Sequence, residues 1–244
     1  MSLRILHVLD HSLPLHSGYT FRTLAILREQ RALGWQTAHL TTPKQGVGTA
    51  VQEEVDGWVF HRTPSGEGTG LLGQMRLTAA RLQELIRSFR PHLIHAHSPV
   101  LNALPSLWVG RRQRLPVVYE MRASWEDAAV DHGTTVEGSL RYRVSRALES
   151  VALRHADHVT TICEGLRGDI AVRGIPPERI TVIPNAVDVT LFRFGAEPDV
   201  ELRRSLGLEG ATVLGFAGSF YGYEGLDLLI EAARQMLPRH PRLR

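Results

Sequence analysis

Short apolar runs alternate with longer segments of helical period along the first 190 residues, and that alternation leaves few folds open. Residues 3–9 read as a buried strand, and a helix follows over 19–33, stopped by Gly34. Residues 37–42 and 58–63 read as strands, and 43–57 as a loop between them. Leu72, Met75, Ala79, Leu82, Ile86 and Phe89 recur three or four apart before Pro91, which predicts a helix. A strand over 92–97, a helix over 101–112 and a strand over 116–121 come next. Leu140, Val144, Leu148 and Val151 form one face of a further helix. A strand over 157–162, a short helix to Gly174 and a strand over 179–183 complete the series. Strands separated by helices of this length pair in parallel through right-handed crossovers, so the expected class is α/β with a doubly wound parallel sheet. Ligands of such sheets sit at the carboxyl ends of the strands. That rule singles out residues 10–18, His97, Ser98, residues 122–127, Cys163, Glu164 and Asn185.

Beyond Asp188 the pattern breaks at a polar stretch over 192–199. A short helix over 199–207 leads to a strand over 211–218, and Leu226, Leu229, Ile230, Ala233 and Leu237 make the stripe of a last helix. The expected organisation is one domain over 1–190, a linker over 191–210, and the first strand–helix unit of a second α/β domain over 211–244. So short a unit carries too little core to offset its ordering entropy, and the chain reads as truncated.

Composition narrows the partners. Hydrophobic residues make up 43% and charged residues 22% of 244 residues, which is globular. The net charge is only +3, nearly all the basic residues are scattered arginines, and Lys44 is the only lysine, which argues against a nucleic-acid partner. One cysteine excludes a disulfide within the chain and fits a reducing compartment, and Cys163 reads as a small core residue. No apolar run approaches the roughly 18 residues of a membrane span, so the expected location is cytoplasmic. Arg141, Arg143, Arg146 and Arg154 share a helix that reads as a solvated face, with peripheral contact to the inner membrane surface as the alternative. His95 and His97 share one face of a strand, but no third ligand has sensible spacing and no two aspartates lie two apart. No metal is expected.

Residues 156–188 carry the strongest motif, with Ala156-Asp157-His158-Val159, then Arg173-Gly174-Ile175, then Ile183-Pro184-Asn185-Ala186-Val187-Asp188. This order resembles the late N-terminal-domain region of family 4 glycosyltransferases, which have the two-domain GT-B fold. Cys163-Glu164 stands where Ser-Glu is usual, and Ala186 replaces a glycine. The resemblance implies a Rossmann-like GT-B N-terminal domain and makes Glu164 and Asn185 substrate-binding candidates, although Asn185 also suits a turn that bonds its own backbone. It implies that the loop over 11–23 touches a donor diphosphate or the acceptor, through Ser17, Gly18 and Tyr19. A glycine there permits close backbone approach, and a helix N-terminus favours anions. After the strand ending at Met121, many members carry His-Asp; here Arg122 and Ala123 align, and Arg122 with Trp125 resembles an Arg-Asp-x-Trp version from bacterial polysaccharide synthesis. The candidate catalytic residues are therefore Arg122, Glu120 and His97, with Trp125 as a substrate contact. An arginine offers several donors in a fixed fork; the plain alternative is Arg122 pairing with Glu126 or Asp127. Residues 218–232 occupy the place of a Gly-Arg-Leu-x-x-x-Lys-Gly motif, but Ser219 and Glu224 replace its basic residues. Gly218, Ser219 and Tyr221 remain as phosphate-binding candidates.

The whole pattern is most similar to the exosortase-associated exopolysaccharide subgroup. The resemblance implies retaining transfer from a nucleotide sugar to an oligosaccharide acceptor, lipid-linked or free, with no cofactor and no essential metal. Two rivals remain: a GT-B nucleotide-sugar epimerase, and a truncated, non-catalytic module that binds an acceptor or partner. A dinucleotide oxidoreductase is disfavoured because no Gly-x-Gly-x-x-Gly follows the first strand. The resemblance places the nucleotide largely on the second domain, so residues 1–244 alone are expected to lack transfer.

Overall fold

The computed structural model describes every residue except Met1, residues 47–49, Ala196 and Ser219, together with the side chain of Tyr223. The chain divides into two compact units, residues 1–126 with 138–185, and residues 127–137 with 186–244.

The first unit is built on an eight-stranded sheet: β1 (Arg4–Leu9), β2 (Gln36–Thr41), β3 (Gln52–Val55), β4 (Trp58–His61), β5 (Leu93–His97), β6 (Val117–Met121), β7 (His158–Thr161) and β8 (Ile180–Val182). Their spatial order is β3-β4-β2-β1-β5-β6-β7-β8, and every pairing except β3–β4 is parallel. The expected doubly wound sheet is present. β3 is the strand that sequence reasoning assigned to a loop. Its Gln-Glu-Glu-Val carries no apolar alternation, because it is an edge strand held by its hairpin to β4.

Period-two alternation divides the sheet into two chemically different faces. Leu6, Val8, Ile94, Ala96, Val117, Tyr119 and Met121 face one way, into the main apolar core with Leu82, Ala103, Val109, Ala152 and Leu153. These last come from α2 (Leu71–Phe89), α3 (Val100–Gln113) and α5 (Leu140–His155). The alternate positions, His7, His95, His97 and Glu120, are buried on the other face, which α1 (Gly18–Ala32) covers. Helices α4 (Trp125–Asp131) and α6 (Glu164–Val172) follow β6 and β7.

Two helix readings change. On α5 the expected core stripe is exposed at Leu140, Val144, Leu148 and Val151, while Glu149, Ser150, Ala152 and Leu153 are buried. The buried hydroxyl of Tyr119 on β6 donates to Glu149 Oε1 at 2.5 Å, so this helix turns its acid toward the sheet. Cys163, expected in the core, is exposed as the residue capping α6.

The second unit holds α7 (Val200–Ser205) and α8 (Leu226–Met236), both expected. The strand expected over 211–218 is not formed. Among the described residues there is only a parallel bridge between Thr212 and Leu243, since a parallel strand needs neighbours to take its backbone groups and 242–244 is all that pairs with it. The apolar stripe of α8 is open to solvent at Leu229, Ile230 and Leu237.

Candidate functional site

The carboxyl edge of the sheet is organised around Glu120, the penultimate residue of β6, which is fully buried. Its Oε1 accepts from Arg22 Nη2 at 2.7 Å and Nε at 3.1 Å. Its Oε2 accepts from Arg122 Nε at 2.8 Å and from His97 Nδ1 at 2.7 Å. Parallel register sets His97 beside Glu120 and His7 beside His95, so the imidazoles collect on the α1 face. Tyr19, Arg22, Thr23 and Gln30 share the facing side of α1, at spacings of three, four and eleven residues.

The protonation pattern follows from the acceptors. Burial raises the Glu120 carboxyl, but the hydrogen bond to His97 and the charge of Arg122 outweigh it, and the group is held well below the usual carboxylate range. Glu120 is therefore an acceptor only. Burial, opposed by the Glu120 bond, lowers His97 to about 3, and burial also drives His7 well below its ordinary value. Both rings are neutral. His97 Nδ1 lies 2.7 Å from Glu120 Oε2, and its Nε2 lies 2.9 Å from His7 Nδ1. His7 Nε2 lies 2.9 Å from the Gln30 side-chain oxygen Oε1. A relay of neutral imidazoles thus ends on an ionised carboxylate shared by two guanidinium groups.

His7, His95 and His97 offer ring nitrogens within 4.8 Å of one another, all buried. The third histidine that spacing along the chain could not supply comes from the neighbouring strand. Arg22 and Arg122 share the single charge of Glu120 beside the cluster, so a further cation would be poorly compensated there.

The sequence-predicted residues divide by exposure. Arg122, with 8% of its side chain exposed, is committed inward. Besides Glu120 it donates to the Tyr19 carbonyl at 2.9 Å and Thr23 Oγ1 at 3.1 Å, lies over the Tyr19 ring at 4.3 Å, and rests 2.6 Å from His97 Nδ1. The alternative pairing with Glu126 is not made: that carboxylate is buried against Arg173 at 2.5 Å. The Tyr19 hydroxyl accepts from the Asp10 amide at 3.0 Å. Ser17 caps α1, its Oγ accepting from the Thr20 amide at 3.1 Å. Asn185 Oδ1 accepts from Arg22 Nη1 at 3.1 Å, so this residue is fixed by a side chain rather than by its own backbone. Arg22 also donates to the carbonyls of Ile183 and Pro184, bracing the end of β8. Trp125 opens α4 and is exposed, and Glu164 opens α6, exposed and paired with Arg167. Gly18 is the first residue of α1, and nothing lies within 4 Å of where its Cβ would be. Of these, Tyr19 and Arg122 are brought together directly. Gly218 and Tyr221 belong to the second unit, and Ser219 lies outside the described residues.

Sequence reasoning missed three contributors. Arg22 stands one residue beyond the Gly18-Tyr19-Thr20-Phe21 stretch. Arg62 is fully buried and ties the β1–α1 loop, donating to Ser12 Oγ and the Leu13 carbonyl at 2.6 Å each and to Glu53 Oε2 at 2.7 Å. His11, partly exposed, sets Nδ1 against Asp10 Oδ2 at 3.1 Å and Nε2 against Ser17 Oγ at 2.8 Å. Its carboxylate partner orients it for proton exchange with a hydroxyl. The only signal in the sequence was position, immediately after a strand.

A profile for the glycosyl transferase 4-like domain matches residues 17–186. The chain belongs to that family. The curated relatives include a D-inositol 3-phosphate glycosyltransferase of Nocardia farcinica, 29% identical over 78% of this chain and 44% of the relative. Another is a GDP-mannose-dependent alpha-mannosyltransferase of Mycolicibacterium smegmatis, 26% identical over 96% of this chain and 61% of the relative. The chain thus spans about half the length of these relatives. Among solved structures, Anabaena HepE in complex with UDP aligns with a TM-score of 0.66 at 18% identity, over 96% of this chain and 58% of that one. Sucrose-phosphate synthase from Thermosynechococcus elongatus aligns at 0.67 and 17%, over 96% and 60%. The likeness establishes the GT-B class of the fold. No helix among the described residues is long and apolar enough to cross a membrane.

Proposed function

We propose that this family member is the acceptor-side part of a retaining, nucleotide-sugar-dependent glycosyltransferase of bacterial exopolysaccharide or related glycan synthesis, of the exosortase-associated type. In this reading a lipid-linked or free oligosaccharide accepts the sugar, and no metal or other cofactor is required. The observation that carries it is the edge of the sheet where α1 begins. The first amides of a helix have no partner within it, and open space lies above Gly18, which suits a phosphate of the donor or acceptor. Partly exposed Ser17 precedes Gly18 and its hydroxyl lies 2.8 Å from His11 Nε2, and exposed Trp125 and Glu164 follow neighbouring strands. Glu120, Arg122 and His97 act in this reading from below: Arg122 holds Tyr19 and Thr23, and Glu120 holds Arg22, which fixes Asn185, instead of touching sugar themselves. HepE, solved with UDP, and the GDP-mannose-dependent relative support a nucleotide-sugar donor.

The rival is a nucleotide-sugar epimerase. UDP-GlcNAc 2-epimerase of Methanocaldococcus jannaschii aligns with a TM-score of 0.55 at 12% identity, a weaker likeness than those of the transferases. The deciding experiment incubates the protein, alone and with its chain extended through a second domain, with a panel of nucleotide sugars and a lipid-linked acceptor extract. Mass spectrometry of the products should show one added sugar on the acceptor with the extended chain. An epimerised nucleotide sugar and no acceptor product would replace this reading with the rival.

A further inference from the structure

The helical layer that covers the apolar face of the sheet has a second, outer surface that the transfer reading does not use. Leu72, 68% exposed, and Met75 on α2 border one groove with Leu104, Pro105 and Trp108 of α3. Leu104 and Trp108 also line a second groove, whose far side is Val151 and His155 of α5. Trp108, 47% exposed, is therefore the ridge between two apolar grooves, and the exposed stripe of α5 continues from the second. Exposed apolar residues thus recur on three neighbouring helices around two shared grooves, whereas lone exposed apolar residues are ordinary.

Its charge identifies the occupant. The three helices carry nine arginines against two glutamates, although the whole chain has a net charge of only +3. Glu149 is buried, and Glu84 is paired with Arg81. Arg76, Arg111 and Arg114 line the grooves, and Arg112 lies over the Trp108 ring at 4.3 Å. The grooves have one acid, Asp157, whose carboxylate accepts the Val117 amide at 2.7 Å. A tryptophan flanked by arginines on an apolar face is the composition that partitions into the headgroup region of a bilayer. We propose that the outer face of α2, α3 and α5, centred on Trp108, docks on an anionic phospholipid surface. The proposal does not depend on the transfer reading. It moves the membrane contact from the basic stripe of α5 alone to a three-helix face, and it gives the exposed apolar stripe of that helix an occupant.

The test is flotation of the full chain with vesicles of phosphatidylcholine containing 30% phosphatidylglycerol, and with pure phosphatidylcholine vesicles. Binding is expected to the anionic vesicles and to fade with salt. Each arginine near such a surface contributes about fivefold in partitioning, so Arg111→Gln/Arg112→Gln/Arg114→Gln should weaken binding by roughly 100-fold. Arg28→Gln on α1 should leave it unchanged. Trp108→Ser should weaken binding, and brominated lipid should quench wild-type fluorescence more than that of Trp108→Phe. Circular dichroism and the thermal midpoint must be retained by these surface variants. Equal binding to both vesicle types, or no binding to either, would overturn the proposal. So would light scattering that shows a dimer dissociated by Trp108→Ser, because a second copy would then cover the face.

Discussion

At the scale of single residues, the first consequence concerns position 18. Gly18 does not adopt a left-handed backbone, and a Cβ there would meet no protein atom, so the fold itself does not require glycine. An alanine at the start of a helix should be neutral or slightly stabilising. If the space above the α1 N-terminus receives phosphate, the same methyl group occupies it. Gly18→Ala is thus expected to keep the thermal midpoint within about 1 °C or raise it, and to weaken binding of inorganic pyrophosphate at least tenfold by calorimetry. Unchanged pyrophosphate affinity would remove Gly18 from the ligand-facing residues. Glu120 shows the opposite logic. Its position at a strand end was legible in the sequence, but its role in joining Arg22, Arg122 and His97 was not, because Arg22 and His97 come from two other segments of the chain.

At the scale of elements, the alternation of strands and helices was readable because each buried strand must place a whole face in the core. His95 and His97 of β5 were equally readable as one face of their strand, since a strand has period two, whereas His7 joins them only through the pairing of β1 with β5. What could not be read was which apolar stripe finds a partner. The stripe of α5 has ideal spacing and yet faces outward, because the side of this helix that carries Ala152 and Leu153 fits the sheet and supplies Glu149 to Tyr119. Where α3 crosses β6, the limiting contact is Gly110. A Cβ there would lie 2.5 Å from Val117 Cγ2 and 3.0 Å from the Leu115 carbonyl oxygen. The side chain can rotate, but the carbonyl is backbone. Gly110→Ala gains up to about 1 kcal/mol of helix propensity and incurs about 1–3 kcal/mol of overpacking. Net destabilisation is expected, read as a thermal midpoint lower by a few degrees. A more stable variant would show that α3 can slide on the sheet.

For the whole molecule, stability should depend on pH through groups that the fold has buried in unusual states. Burial lowers His39 to about 4 and His97 to about 3, and drives His7 and His95 well below their ordinary values. Below the unfolded value of about 6.5, the unfolded chain binds protons that these native rings refuse, so acid weakens the fold. At about 1.4 kcal/mol per pH unit and group, His39 and His97 together remove roughly 5 kcal/mol by about pH 4.5, a large part of a typical domain's stability. Glu149 acts in the other direction. Burial raises its carboxyl to about 7, although the bond from Tyr119 lowers it in part. Between about pH 4.5 and 7 the native state therefore holds a proton that the unfolded chain has lost. That contribution is complete at low pH and disappears as pH rises through 7. The shift is worth at most about 3 kcal/mol, less than the histidines remove, so the net expectation is loss of stability on acidification. Glu149→Gln separates the two effects. The amide oxygen still accepts from Tyr119, but nothing ionises. The variant should match wild type near pH 4.5, gain on it steadily up to about pH 7, and hold a constant advantage of about 2–3 kcal/mol above that. Urea unfolding at pH 5, 6, 7 and 8 measures the difference directly. A difference independent of pH would mean that Glu149 is already ionised in the native protein, and that Tyr119 donates to a buried carboxylate with ordinary acidity.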